Sequence, residues 1–330
     1  MNLFKVSLKG ARYIYTKVLL PQATITPFPY MVMDADEANR HICKLITDDS
    51  PCMIARFGST ELSCIVNYLG VKQGPGSIVE YVRGKKDDWW WNPSNMKRMQ
   101  NWSGFFPASE EYLGKFCELM LDDMKQLDVL GSWTPSEKKI KDRLEGVYIT
   151  HLRLLEPFWS QTPWTHLLEG KRVVVVHPFA ELIEQQYYNW RTKLFANSDV
   201  LPEFKLRTVK AVQSLGGNNS QFTDWFDALE WMKQEIDRED YDIALIGCGA
   251  YGFPLAAHAK RTGHKAVHLG GALQLLFGII GKRWENPHYG VKEWGIPAGT
   301  YSNLINEYWV RPGEKDRPSN AQQVEDGCYW

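Results

Sequence analysis

The sequence predicts an α/β protein of Rossmann-like architecture, a mostly parallel sheet with helices on both faces, extended by an irregular tryptophan-rich insertion and a C-terminal tail. Three observations point there. Tyr241 to Gly278 reads as strand, glycine turn, helix and strand, the βαβ unit that needs ~30 residues. Arg172 to Val176, with its valine run, is the kind of strand that a parallel sheet buries on both faces. Strand-like and helix-like patterns alternate from Cys52 to Phe277, as crossover connections require.

Composition narrows the partners. Lys plus Arg (38) nearly balance Asp plus Glu (39) over 330 residues, so no global field draws nucleic acid and none is expected as a partner. Cys43, Cys52, Cys64, Cys117, Cys248 and Cys328 form no C-x-x-C pair and read as reduced thiols of a cytoplasmic protein. No stretch approaches the ~20 apolar residues of a membrane span.

Residues 1–20 interleave Leu3, Val6, Leu8, Ile14 and Val18 with Lys5, Lys9, Arg12 and Lys17 and contain no acid. A basic amphipathic segment of this kind suits an anionic membrane surface, and equally suits a helix packed on the body or on a partner. Pro21, Pro27 and Pro29 make a linker, which sets residues 1–30 apart from a single domain over 31–280 and a wrapping tail over 281–330. Asp34 with Glu37 resembles a capping box, and Ala35, Ala38, Ile42 and Leu45 give one helical face.

Cys52 to Ala55 reads as a short buried strand ending in Arg56-Phe57-Gly58-Ser59-Thr60-Glu61 before a new helix. Open α/β sheets place ligands at the carboxyl ends of strands. Arg56 matches a phosphate, and Glu61 can take a proton or bind a metal; a structural Arg–Glu pair is the plain alternative. Val71 to Gly104 is irregular, and its Trp89-Trp90-Trp91 offers a ring for stacking a sugar or acceptor, a membrane contact, or packing. Ser109 to Leu127 is a helix with a core stripe, Val129 to Trp133 a strand, Pro135 to Leu144 a charged surface helix, and Val147 to Phe158 ambiguous.

The Arg172 strand ends in His177-Pro178-Phe179-Ala180-Glu181, so His177 and Glu181 arrive at a carboxyl end as candidates for proton transfer. A helix to Leu194 follows. The next strand, Phe204 to Val212, runs into Gln213-Ser214-Leu215-Gly216-Gly217, a polar glycine turn suited to a ligand, and Phe222 to Ile236 is an amphipathic helix. In the last unit Gly247, Gly249 and Gly252 spell G-x-G-x-x-G, but the acid that would hold a ribose roughly 20 residues on is replaced by His268-Leu269-Gly270. That argues against a nicotinamide cofactor and leaves a bound nucleotide, or glycines that serve helix packing alone. Lys282 and Arg283 follow, placed to meet a diphosphate.

These residues carry a family likeness. Ile54 through Glu61 resembles the R-[FY]-G-D-G-E segment of the GT-D type glycosyltransferases, Val173 to His177 their middle strand, and Ile243 to Gly271 their late unit, over roughly residues 35–280. The resemblance implies a Rossmann-like fold and transfer of a sugar from a nucleotide-sugar donor to a glycan or lipid-linked acceptor in bacterial surface polysaccharide synthesis. It also implies a D-x-E motif at a metal and the donor phosphates. Here Ser59, Thr60 and Glu61 stand at those positions, so a Mg²⁺ or Mn²⁺ site lacks one carboxylate. On this reading Glu61 is the first candidate base, with His177 and Glu181 next. The donor would be met by Arg56, Gly58 and Ser59, by Gln213 and Ser214, by Gly247, Gly249 and Gly252, by His268, Gly270 and Gly271, and by Lys282 and Arg283. The enzyme would act on the cytoplasmic side, at the inner membrane face where residues 1–20 bind it. Two other readings remain: a nucleotide- or NAD(P)-binding protein without glycosyl transfer, and a non-catalytic assembly subunit.

Overall fold

In the computed structural model, which describes residues 3–19, 28–214, 221–316 and 327–330, seven strands form one sheet. They are β1 (Met53–Ala55), β2 (Val129–Ser132), β3 (Tyr148–His151), β4 (Arg172–His177), β5 (Lys205–Lys210), β6 (Ile243–Ile246) and β7 (Lys265–His268). Their order is β3-β2-β1-β7-β6-β4-β5, and every pairing is parallel. Side chains alternate across the sheet. Val174 and Val176 join Ala55, Ala244 and Ile246 in one core, while Val173 and Val175 join Ile54, Ile243, Leu245 and Val267 in the other.

The first core is covered by α3 (Ser59–Gln73), α6 (Glu110–Asp123), α8 (Trp225–Asp237) and α9 (Gly252–Arg261). The second is covered by α2 (Ala35–Thr47), by α7 (Ala180–Leu194) and by tail residues including Ile279, Trp284, Ile296, Tyr301 and Trp309. β4 thus sends its chain to one face and its neighbour β6 to the other, which opens a crevice at the carboxyl rim between them. At the start of α2, the Asp34 carboxylate accepts the Glu37 N–H at 2.8 Å.

The tryptophan-rich stretch is not irregular. It holds α4 (Ile78–Val82) and α5 (Pro93–Ser103), the latter started by Asn92, whose side chain accepts the Ser94 N–H, and by Pro93 at the first helical position. Nor are its tryptophans a stacking surface. Trp90 is buried against Leu8 and Tyr81, Trp89 meets it edge-on at 4.9 Å, and Trp91 packs on Tyr68. The expected sugar-stacking role for this triplet therefore gives way to packing.

What packs there is α1 (Leu3–Tyr13), and it docks by its basic side. Lys5 and Lys9 lie over the Trp90 ring at 5.3 and 5.9 Å, Lys9 pairs with Asp88 at 3.3 Å, and Arg12 donates to the Lys86 carbonyl at 2.7 Å. Its apolar residues Leu3, Val6 and Tyr13, and Ile14 and Val18 beyond it, are exposed. Asp88 is the hub, since it also accepts from the Tyr81 hydroxyl at 2.7 Å and from Asn92 at 3.1 Å. Removing those charge-assisted bonds should cost the dock about 1–3 kcal/mol. Asp88→Ala is expected to speed tryptic cleavage at Lys9 and Arg12 about tenfold, the factor that ~1.4 kcal/mol produces. Equal cleavage of variant and parent would show that Asp88 is not the hub and that Leu8, Lys5 and Arg12 hold the helix without it.

Candidate active site

The first corner of the site leaves β1. Phe57 is fully buried and stacks on Phe253 at 4.7 Å, which anchors the turn and leaves Arg56 and Gly58 beside it at the rim. The Arg56 guanidinium lies over the Trp133 ring at 5.2 Å and has no hydrogen-bond or ion-pair partner among the described residues. Trp133 is itself fixed, donating from Nε1 to the Phe57 carbonyl at 3.0 Å and from its N–H to Glu137 at 3.2 Å. Glu137 is fully buried and also accepts from Ser132 and the Thr134 N–H; burial pushes its carboxyl up, against the pull of these bonds and of Arg56.

Glu61 occupies the first turn of α3, 8% exposed, with its carboxylate folded back over Gly58. A Cβ at Gly58 would lie 1.7 Å from Glu61 Oε2, so only glycine leaves that space. No hydrogen bond reaches the Glu61 carboxylate from the described residues. A cation and a carboxylate, neither hydrogen-bonded nor ion-paired among the described residues, therefore face one cleft.

Two buried histidines floor it, in opposite tautomers. His177 Nδ1 accepts the Phe179 N–H at 3.0 Å, so the ring proton sits on Nε2. His268 Nδ1 lies 3.2 Å from the Ile246 carbonyl, which requires the proton there and leaves a lone pair on Nε2. Burial holds both at about 3, with the Arg56 charge adding to the effect at His268. His177 thus enters as a neutral donor, not as the base that its position at the strand end had suggested.

The cleft measures about 1120 Å³ out to its open mouth. It brings together Arg56, Gly58, Ser59 and Glu61 from the β1 corner, His177 after β4, Gln213 and Ser214 after β5, Gly247 and Gly249 after β6, and His268, Gly270, Gly271 and Arg283 after β7. Gly249 has φ +58°, a left-handed turn that favours glycine. Ser214 is already engaged, donating to the Gly104 carbonyl at 2.6 Å and lying 2.8 Å from the Tyr251 hydroxyl. Leu215, Gly216 and Gly217 lie outside the described residues.

Three candidates do not reach the cleft. Glu181 points from the first turn of α7 to the surface and pairs with Lys210 at 3.0 Å. Lys282 is exposed on the outer side of its short helix. Gly252 lies beneath the His268 ring, 2.2 Å from where its Cβ would fall, so the start of α9 is covered by imidazole and not open to phosphate.

The structure adds walls that the sequence reading did not include: Trp102, Trp133, Tyr251, Gln274, Tyr329 and Trp330. For Trp133 a signal existed, since Thr134-Pro135-Ser136-Glu137 is a capping box that fixes the turn just after it. Tyr329 and Trp330 are brought in by tertiary contacts alone: Gln274 donates to the Tyr329 carbonyl at 3.2 Å and Trp330 Nε1 to the Asp316 carbonyl at 3.0 Å.

No family model and no curated protein matches the chain. Among solved structures it is similar to the selenomethionine-substituted structure of domain of unknown function 1792, at 9% identity over 88% of this chain and 98% of that chain, with a TM-score of 0.39. The likeness is loose. It carries no weight for the chemistry, which rests on the residues themselves.

A divalent cation finds few ligands here. Glu61 is the one carboxylate in the cleft, and no group of three or more His, Cys, Asp or Glu converges among the described residues. Ser59 stands where the resemblance implies an aspartate, so Glu61 is the one carboxylate that the described lining could offer to a cation.

The buried imidazoles make stability depend on pH. A histidine held near 3 in the fold and near 6.5 when unfolded contributes stability that is present above 6.5 and is lost as pH falls toward 3, because the unfolded chain binds the proton first. The melting-temperature deficit of His268→Asn should therefore be largest near neutrality and shrink on going down toward about pH 4. A deficit independent of pH would mean that the imidazole is not held neutral.

Proposed function

We propose that the protein is a glycosyltransferase, moving a sugar from a nucleotide-sugar donor to a hydroxyl of a glycan or lipid-linked acceptor in bacterial surface polysaccharide synthesis. The observation that carries this reading is the pair of charges Arg56 and Glu61 in one cleft at the carboxyl rim, neither with a hydrogen-bond or ion-pair partner among the described residues. The resemblance of Arg56 through Glu61 to the GT-D segment supports it.

In the reaction the sugar C1–O bond to the diphosphate breaks, with its electron pair leaving on the phosphate oxygen. A new C1–O bond forms to the acceptor, whose proton passes to Glu61. Arg56, the N–H groups opening α3 and the His177 Nε2–H are the groups that would stabilise the developing phosphate charge. A dinucleotide cofactor is served less well: His268 covers the start of α9 and also stands where a ribose would need a carboxylate.

Glu61→Gln is expected to keep the melting temperature and nucleoside diphosphate affinity while lowering transfer by about 10²-fold or more, the usual worth of a general base. Arg56→Ala should weaken nucleoside diphosphate binding about tenfold or more, the loss of a charge-assisted contact. Normal turnover in Glu61→Gln removes the base assignment. Thermal stabilisation by NAD(P) alone, across a panel with UDP, GDP and CMP, would overturn the reading as a whole.

A lipid-linked acceptor would place the enzyme on a bilayer, and α1 supplies the contact in an unexpected sense. No helix among the described residues is long and apolar enough to cross a membrane. Lys5, Lys9 and Arg12 are engaged with Trp90, Asp88 and the Lys86 carbonyl, whereas Leu3, Val6, Tyr13, Ile14 and Val18 face outward. Attachment through that apolar side should survive about 1 M salt, where the screening length is only ~3 Å. Flotation with neutral phosphatidylcholine vesicles should show capture that Val6→Ser with Ile14→Ser abolishes. Capture only by anionic vesicles at low salt would return the role to the basic residues.

A further inference from the structure

A second hollow, about 550 Å³ when counted out to its open mouth, adjoins the cleft. It sits over the exits of β3 and β7, with Leu152, Leu155 and Leu269 at its base, and it is roofed by Trp284, Tyr289 and Trp294 from the tail. Arg56, Trp133, Arg283 and Tyr329 line both spaces and so form the partition between them. The aromatic roof is braced: Tyr289 meets Trp294 edge-on at 5.3 Å and Trp284 at 6.5 Å.

One carboxylate stands in this lining of mixed polarity. Glu156 is half-buried, accepts the Trp159 indole N–H at 2.9 Å, and takes the Tyr301 hydroxyl on both oxygens at 3.0 and 2.8 Å. Two fixed donors, the indole and a hydroxyl shared between both oxygens, hold the group still, and its remaining lone pairs are left for whatever enters. Burial raises its carboxyl to about 7, against the pull of its two donors and of Arg153.

The chemistry of the occupant follows from this lining. Aromatic faces with a carboxylate would suit an ammonium group, but Arg56 and Arg283 stand in the same wall, and two guanidinium charges repel a cation. A neutral polyhydroxyl ring meets no such penalty: its C–H face stacks on indole, and its hydroxyls donate to Glu156. The partition also fixes the direction of entry. A diphosphate held at Arg56 in the cleft carries its sugar to the boundary of the second cavity.

We infer that the second cavity holds the hexose of the nucleotide-sugar donor, with Trp294 as its stacking face and Glu156 as the acceptor of its hydroxyl protons. This rests on the glycosyltransferase reading and adds to it where the sugar lies.

The test is calorimetric titration of the full chain with UDP, GDP and dTDP, each beside its glucose, N-acetylglucosamine or mannose conjugate. The parent protein should bind one conjugate about tenfold tighter than the bare diphosphate, and Glu156→Gln and Trp294→Ala should each cut that advantage below about twofold while leaving the bare diphosphate's Kd unchanged. An advantage that survives in both variants, or that the parent never shows, overturns the sugar chamber and leaves the nucleotide cleft standing. Equal loss of diphosphate and conjugate binding overturns it too, because the cavity would then be packing only. Failure of every diphosphate to bind the parent brings down the glycosyltransferase reading, and the chamber with it.

Discussion

Seven strands pointing the same way leave the chain no choice about where its loops emerge. Each strand must be re-entered from the same end after a crossover, so the segments leaving β1, β2, β4, β5, β6 and β7 all open on one rim. The burial of alternating valines and isoleucines between two layers of helix enforces that direction; the chemistry at the rim comes with it. Arg56, Trp133, His177, Gln213, Gly247 and His268 are remote in sequence and lie within a few residues of a strand end. Their meeting is a property of the sheet before it is a property of the site.

What distinguishes this rim from a generic parallel sheet is electrostatic. The Arg56 guanidinium is held by a ring face, Trp133 by Glu137, and Glu137 by three donors, so the positive charge is placed without being neutralised at contact distance. A carboxylate bonded to Arg56 would have to be displaced before an anion could enter; an indole does not compete. Glu61 is in the complementary condition, kept apart by its fold over Gly58. The two imidazoles below are neutral and divide the labour of hydrogen bonding, one offering a proton and the other a lone pair.

Much of this was legible in the residues, and the misses have physical causes. β6 lies where its apolar run places it and β4 extends only one residue past the predicted run, because strands buried on both faces advertise themselves; β3, at the sheet edge with a half-buried Tyr148, did not. The corner residues followed from strand ends. Glu181 was misplaced because one turn of helix rotates neighbouring side chains by about 100° each, and nothing local says which of them faces the rim. The tautomer of His177 depends on one backbone N–H at Phe179, and the covering of Gly252 on a ring that arrives from β7. Val71 to Gly104 reads as irregular although Asn92-Pro93 is a helix start, and of the stacking, membrane and packing roles open to its tryptophans the sequence offers no way to choose packing under a basic helix.

The tail completes the cleft, and that has a consequence for how the molecule comes into being. A ribosome delivers Arg56 and Glu61 well before Tyr329 and Trp330, yet all four border the same space. A nascent chain that has already paired its strands still lacks one side of the cleft and part of the partition beside it. Enclosure of the cleft therefore depends on residues delivered long after the strands that place its floor.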